Sequence, residues 1–451
     1  NLPIGQMEEK FADYGEVQIK QLNDRSKMYY TPNKENNVFQ LVVQYGAGER
    51  EFPKLGYAAQ LMNNAGIMGA YEPQELKEEL SKLNATCHVT ADDDNLYIIM
   101  EGYEATLPQA CQLLSRQILM PKLDEKQLAR LKGSAMGMRQ QRKDNVSILN
   151  EALRQYMLYG EKSDYIKELT DKEIYELQIS ELTGDINRAS NYEAKVFFTG
   201  TLPFDQVYDI LSKNLPLVAN ERPSNSPQAK EMMPVTENTV YFLPNNDAEQ
   251  AQIHLYIPMQ KADKKDDVLR SAFNQYFGLD FTGIVLNEIR EKRSMAYTAY
   301  AFVGTQGIAG KASYLRGYIG TQNDKANDAL DVLMGLVNDM PKNPERIDNI
   351  KSYLRQAMLT SHPSFRNKAM ELVDLGYRGY TDDPAKENLP KVDALTFDDI
   401  VKFYEENIKG KPYCISIMGN PKNIDLKRLE KFGKVVKLNE RKLFNTKDAL
   451  F

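Results

Sequence analysis

The chain has 451 residues, 42% of them hydrophobic and 27% charged, which is the balance of a folded globular protein too long for one ordinary core; two domains of roughly 200 residues are expected. Its net charge of −6 gives no footing for nucleic acid or for an anionic membrane surface. No apolar run reaches the ~18 residues of a membrane helix. Cys87, Cys111 and Cys414 are widely spaced, form no C-x-x-C pair and read as buried thiols, so the compartment stays undetermined.

In chain order, the first clear element is the run Val38–Glu49, a strand with a glycine-bearing turn at its end. A helical stretch, Gly56–Gly66, follows. Pro73–Leu83 is a short helix leading into the strand Asn84–Thr90. Asp92, Asp93 and Asp94 then mark a hairpin turn before the strand Asn95–Gly102. In the helix Leu107–Met120, the residues Leu107, Ala110, Cys111, Leu114 and Ile118 recur at helical spacing and mark one buried face. A helix start at Ser180–Ile186 and the strand Lys195–Gly200 close this half.

The clearest seam is Leu215–Val235, where Pro216, Pro223, Pro227 and Pro234 suit an exposed, extended linker. It sets the expected domains at residues 1–220 and 235–451. Beyond it, Gly278 and Gly283 flank Leu279–Thr282 at a helix start, a spacing that misses the dinucleotide fingerprint. The helix is expected over Thr282–Glu291 with Thr282 as N-cap. Ala296–Gly304 and Ala312–Thr321 are strands. Ala326–Met340 is a helix with Ala329, Leu330, Leu333, Met334 and Val337 on one face. A helix start at Ala394–Ile400 and the strand Tyr413–Gly419 repeat the way the first half ends. Helix, hairpin, helix, then long helices and a last strand, given twice, describes an α+β fold and not a doubly wound parallel sheet.

One segment carries candidate chemistry: Leu286-Asn287-Glu288-Ile289-Arg290-Glu291-Lys292-Arg293-Ser294-Met295-Ala296-Tyr297. The fork of Arg290 and the hydroxyl of Tyr297 can both donate to a carbonyl or carboxylate oxygen. The plainer reading makes Arg290 a solvated helix residue near Asn287 and Glu291, and Tyr297 an inward-facing strand residue. The segment resembles the arginine–tyrosine motif in the second half of insulinase/pitrilysin-type zinc peptidases, often written L-R-E-K-R-G-L-A-Y. Ser294 and Met295 replace its glycine and leucine.

Zinc-binding members of that family carry H-x-x-E-H on a helix, with two histidine ligands and a glutamate base. The matching stretch here is Gly56–Gly66. On that register Ala59 and Asn63 stand at the histidine positions and Met62 at the glutamate, with Gln140 near the place of the third ligand. Alanine cannot ligate, and neutral amides are poor zinc ligands. The three histidines, His88, His254 and His362, form no helical pair; His88 near Asp92, Asp93 and Asp94 is the only local cluster with ligand chemistry.

The resemblance implies two similar domains, each a largely antiparallel sheet with helices packed on one face. It further implies a zinc-free half of a metallopeptidase, with no metal in this chain and zinc in the partner half. That half would be part of the same polypeptide or a partner subunit. This chain would close the substrate chamber and present Arg290 and Tyr297 to a peptide substrate. The alternative is a non-enzymatic structural or assembly subunit of the same descent. No G-x-S-x-G elbow, P-loop or nucleotide fingerprint supports a third chemistry.

Overall fold

Along Val38–Tyr45 the side chains of Phe39, Leu41, Val43 and Tyr45 are buried, the period of two that turns one face of a sheet toward a core. The computed structural model describes residues 9–217, 222–278 and 282–447. In its first half the strands are β1 (Gln18–Gln21), β2 (Lys27–Pro32), β3 (Val38–Tyr45), β4 (Gly66–Ile67), β5 (Thr86–Ala91), β6 (Leu96–Tyr103), β7 (Pro121–Lys122) and β8 (Ala194–Gly200). In the second they are β9 (Thr239–Pro244), β10 (Gln250–Lys261), β11 (Ala296–Thr305), β12 (Ala312–Gln322), β13 (Cys414–Gly419) and β14 (Lys434–Lys437).

They form two six-stranded sheets, ordered β1-β2-β8-β3-β6-β5 and β11-β12-β10-β13-β9-β14, while β4 and β7 pair with each other. Five strands recur in the same order and sense. In β2-β8-β3-β6-β5 and in β9-β13-β10-β12-β11 the first step is parallel and the next three are antiparallel. The sixth strand differs: β1 adds to β2 through an antiparallel hairpin, and β14 adds to β9 in parallel. The protein is therefore α+β with largely antiparallel sheets.

Each sheet has its own core on one face. The five apolar positions expected on Leu107–Leu119 are all buried there, as are the five on Ala326–Asn338. The opposite face of each sheet receives a helix from the other half. Leu149, Ala152 and Leu153 of the Val146–Tyr159 helix pack against Leu243 and Met418 of the second sheet. In return, Ala369 of the Lys368–Tyr377 helix packs against Val42 and Phe197 of the first.

Three local expectations change. The helix expected over Thr282–Glu291 is a short α-turn, Ile284–Leu286, running into a π-turn, Asn287–Glu291. Gly283 holds the N-cap place with extended backbone, so Thr282 lies one residue too early to cap. Cys87 is half-buried at the sheet edge, whereas Cys111 and Cys414 are buried. Part of the seam (218–221) and of the glycine-flanked turn (279–281) lies outside the described residues. Between 223 and 234 no helix or strand forms.

Candidate functional site

The Leu55–Met62 helix and its C-cap residue Asn63 carry the three positions matched to H-x-x-E-H, and the fold uses them for other purposes. Ala59 and Met62 are buried in the first core, each about 1% exposed. Asn63 points its carboxamide at β5: its Nδ2 donates to the Val89 carbonyl at 2.9 Å, and its Oδ1 accepts from the Val89 N–H at 2.8 Å. Gln140 ends the Glu125–Gln140 helix, exposed. Two apolar side chains in a packed core, a carboxamide committed to backbone and an exposed amide do not fit a zinc ion.

The aspartates near His88 are likewise committed. Asp92 Oδ1 accepts from the N–H groups of Asp94 and Asn95, closing the β5–β6 hairpin, while Asp93 and Asp94 both pair with Arg50. Among the described residues no group of three or more His, Cys, Asp or Glu side chains is placed to hold a metal.

Arg290 and Tyr297 come from the π-turn and the start of β11. In the π-turn, Lys292 N–H bonds back five residues to the Asn287 carbonyl at 2.9 Å; such turns re-aim a helical side chain. The chain then reverses through Ser294, whose N–H donates to the Arg290 carbonyl at 2.8 Å and whose φ of +50° is left-handed. Glu288 takes up Lys292 and Arg293, and those two cations hold its carboxyl below the usual range. This leaves Arg290 with one weak acidic neighbour, Glu291, 3.5 Å from its Nε, and a side chain 45% exposed.

Tyr297 is 54% exposed, so the inward-facing reading of this residue is wrong. The cause is a register shift: Ala296 pairs with Thr321 and Thr298 with Gly320, a bulge that swings the ring outward. Its hydroxyl accepts from Gln322 Nε2 at 3.3 Å and keeps its own proton for another acceptor. The segment thus holds a guanidinium fork and a phenol at the surface, both able to donate.

Sequence reasoning missed the surroundings of Tyr297. On the same face, Tyr300 and Tyr318 pack with centroids 5.3 Å apart and planes tilted by 35°, and Arg316 lies 5.7 Å over the Phe302 ring. His254 stands beside Tyr318, its Nε2 3.0 Å from Asn150 Oδ1; burial, then the charges of Arg154 and Arg316, push its pKa down to about 3. The available signal was the alternation Tyr314, Arg316, Tyr318 against Leu315, Gly317, Ile319 along β12.

Residues 190–354 match the family model described as the peptidase M16 inactive domain. The span includes Arg290 and Tyr297 but not the degenerate motif positions. No curated protein sequence matches the chain. A peptidase M16 inactive domain from Pseudomonas fluorescens is 17% identical with a TM-score of 0.69, over 91% of this chain and 99% of that one. The ferredoxin protease FusC in complex with Arabidopsis ferredoxin is 12% identical, TM-score 0.70, over 92% of this chain and 46% of the protease. The periplasmic protease PqqL from Escherichia coli is 12% identical, TM-score 0.66, over 92% and 47%. At these identities the likeness is one of fold, and the chain spans about half the length of the two proteases.

Proposed function

We propose that this chain, whose residues 190–354 match the M16 inactive-domain model, is the metal-free half of a zinc metallopeptidase. Its two units, residues 1–220 and 235–451, would close the substrate chamber against a zinc-bearing half. Arg290 and Tyr297 would donate hydrogen bonds to backbone carbonyls of a bound peptide, and the metal chemistry would belong to the other half. One observation carries the reading: both donors are exposed and neither is used up by the fold. Donors fixed beside a carbonyl that gains negative charge are worth about 2–4 kcal/mol each in comparable sites.

The use of Ala59, Met62 and Asn63 in packing and strand capping favours the second reading, a non-enzymatic structural or assembly subunit. Reconstitution separates them. On the first reading the chain alone holds no stoichiometric zinc and cleaves no peptide, and adding it to a zinc-bearing half raises kcat/KM for peptide cleavage. A zinc-bearing half that is equally active without it would leave the structural reading standing.

A further inference from the structure

The sheet face that holds Tyr297 continues along β11 and β12 as a stripe of aromatic rings ending in a cation. Thr298 pairs with Gly320, Tyr300 with Tyr318 and Phe302 with Arg316. Gly320 leaves space beneath Tyr318: a Cβ there would lie 2.9 Å from the Tyr318 hydroxyl. The Tyr318 ring therefore lies along the strand, donating its hydroxyl to Gln252 Oε1. Tyr300 joins it to Phe302, 6.1 Å away, and the guanidinium of Arg316 covers that ring. The Val146–Tyr159 helix buries the neighbouring His254 and Tyr256 but leaves Tyr300, Phe302, Arg316 and Tyr318 half-buried and reachable.

Arg316 makes no ion pair among the described residues. The nearby Arg154 is already matched, with Nε and one terminal nitrogen on the two oxygens of Glu151. A half-buried guanidinium resting on an aromatic ring without a carboxylate is set to take one from a ligand, preferably by its planar fork. From Tyr297 to Phe302 the strand advances five residues, about 16 Å, the length of five residues of an extended peptide.

Resting on the substrate-contact reading above, we infer that this stripe selects extended peptides with an aromatic or large apolar side chain two residues from a carboxylate. The ring lies on Tyr300 and Tyr318, and the carboxylate on Arg316. A two-residue spacing puts both side chains on one face of an extended strand, matching the two-residue step from Tyr300 to Phe302, which pairs with Arg316.

The test is fluorescence anisotropy of fluorescein-labelled alanine-based nonapeptides with the intact chain. The peptides carry Phe-Ala-Glu, Glu-Ala-Phe, Phe-Ala-Gln or Phe-Glu. One of the two Phe/Glu orders at two-residue spacing should bind about tenfold tighter than the Gln peptide and the adjacent-residue peptide. Arg316→Gln should remove that preference without weakening the Gln peptide, and Arg316→Lys should restore part of it. Equal affinities in the wild-type chain, or a preference that survives Arg316→Gln, would overturn the inference. Failure of the parent reading looks different: Arg290→Ala and Tyr297→Phe would then leave the affinity of every peptide unchanged. Binding of no peptide at all would overturn both.

Discussion

Asn63 and Asn274 perform the same task on opposite halves of the molecule. Asn63 bonds both backbone groups of Val89 on the edge strand β5, and Asn274 bonds both of Val303 on the edge strand β11, with Nδ2 to carbonyl at 3.0 Å and N–H to Oδ1 at 2.6 Å. In each case a side-chain amide stands in for a neighbouring strand and closes part of an otherwise open sheet edge. The position matched to a second zinc histidine is therefore an edge latch, with a twin where no metal motif is matched.

Asn63→Ala and Asn274→Ala should each cost about 1–3 kcal/mol in urea unfolding, because each strands a backbone N–H and C=O at a sheet edge. Asn63→Asp keeps the acceptor and loses the donor, so it should fall between Asn63→Ala and wild type. Unfolding midpoints unchanged in both alanine variants would show that the latch contributes nothing.

Ser294→Gly should stabilise the protein by about 0.5–1 kcal/mol. Serine at φ +50° occupies a left-handed conformation that glycine adopts without a Cβ clash, and the relief exceeds glycine's extra unfolded-state entropy. Differential scanning calorimetry reads this as a higher Tm. A lower Tm would mean that the serine side chain contributes more to the turn than its backbone costs.

The pH dependence of stability should carry a His254 component. Its folded pKa, about 3, lies below the ordinary value of 6.5, so in the folded chain it stays neutral while the unfolded chain takes up a proton. That component is fully present above pH 6.5 and is lost as pH falls from there toward 3. His254→Gln keeps a donor for Asn150 and removes the titration. Between about pH 7 and about pH 4.5 the variant should lose about 2–3 kcal/mol less stability than wild type in urea unfolding. Parallel losses would place the histidine outside the acid response.

What the sequence disclosed was local. The helical spacing from Leu107 to Ile118 and from Ala329 to Val337 located buried faces, because a period of 3.6 needs no knowledge of the partner. Arg290 and Tyr297 were legible as donors. The outward turn of Tyr297 was not, because it depends on a register shift between two strands. The exchange of the Val146–Tyr159 and Lys368–Tyr377 helices was also hidden, since an amphipathic pattern shows that a face is buried but not against which sheet. Asn63 could be named only as a poor ligand; its use as a latch appears once Val89 is seen across from it.

The most direct test of the central claim is peptide cleavage by the chain reconstituted with a zinc-bearing half, comparing wild type, Tyr297→Phe and Arg290→Ala. The account predicts that kcat and kcat/KM fall together in both variants, by about 30-fold or more, with Tm and zinc content unchanged, because donors acting on the transition state affect both quantities. Unchanged kinetics in both single variants would contradict it and leave the chain as a wall of the chamber.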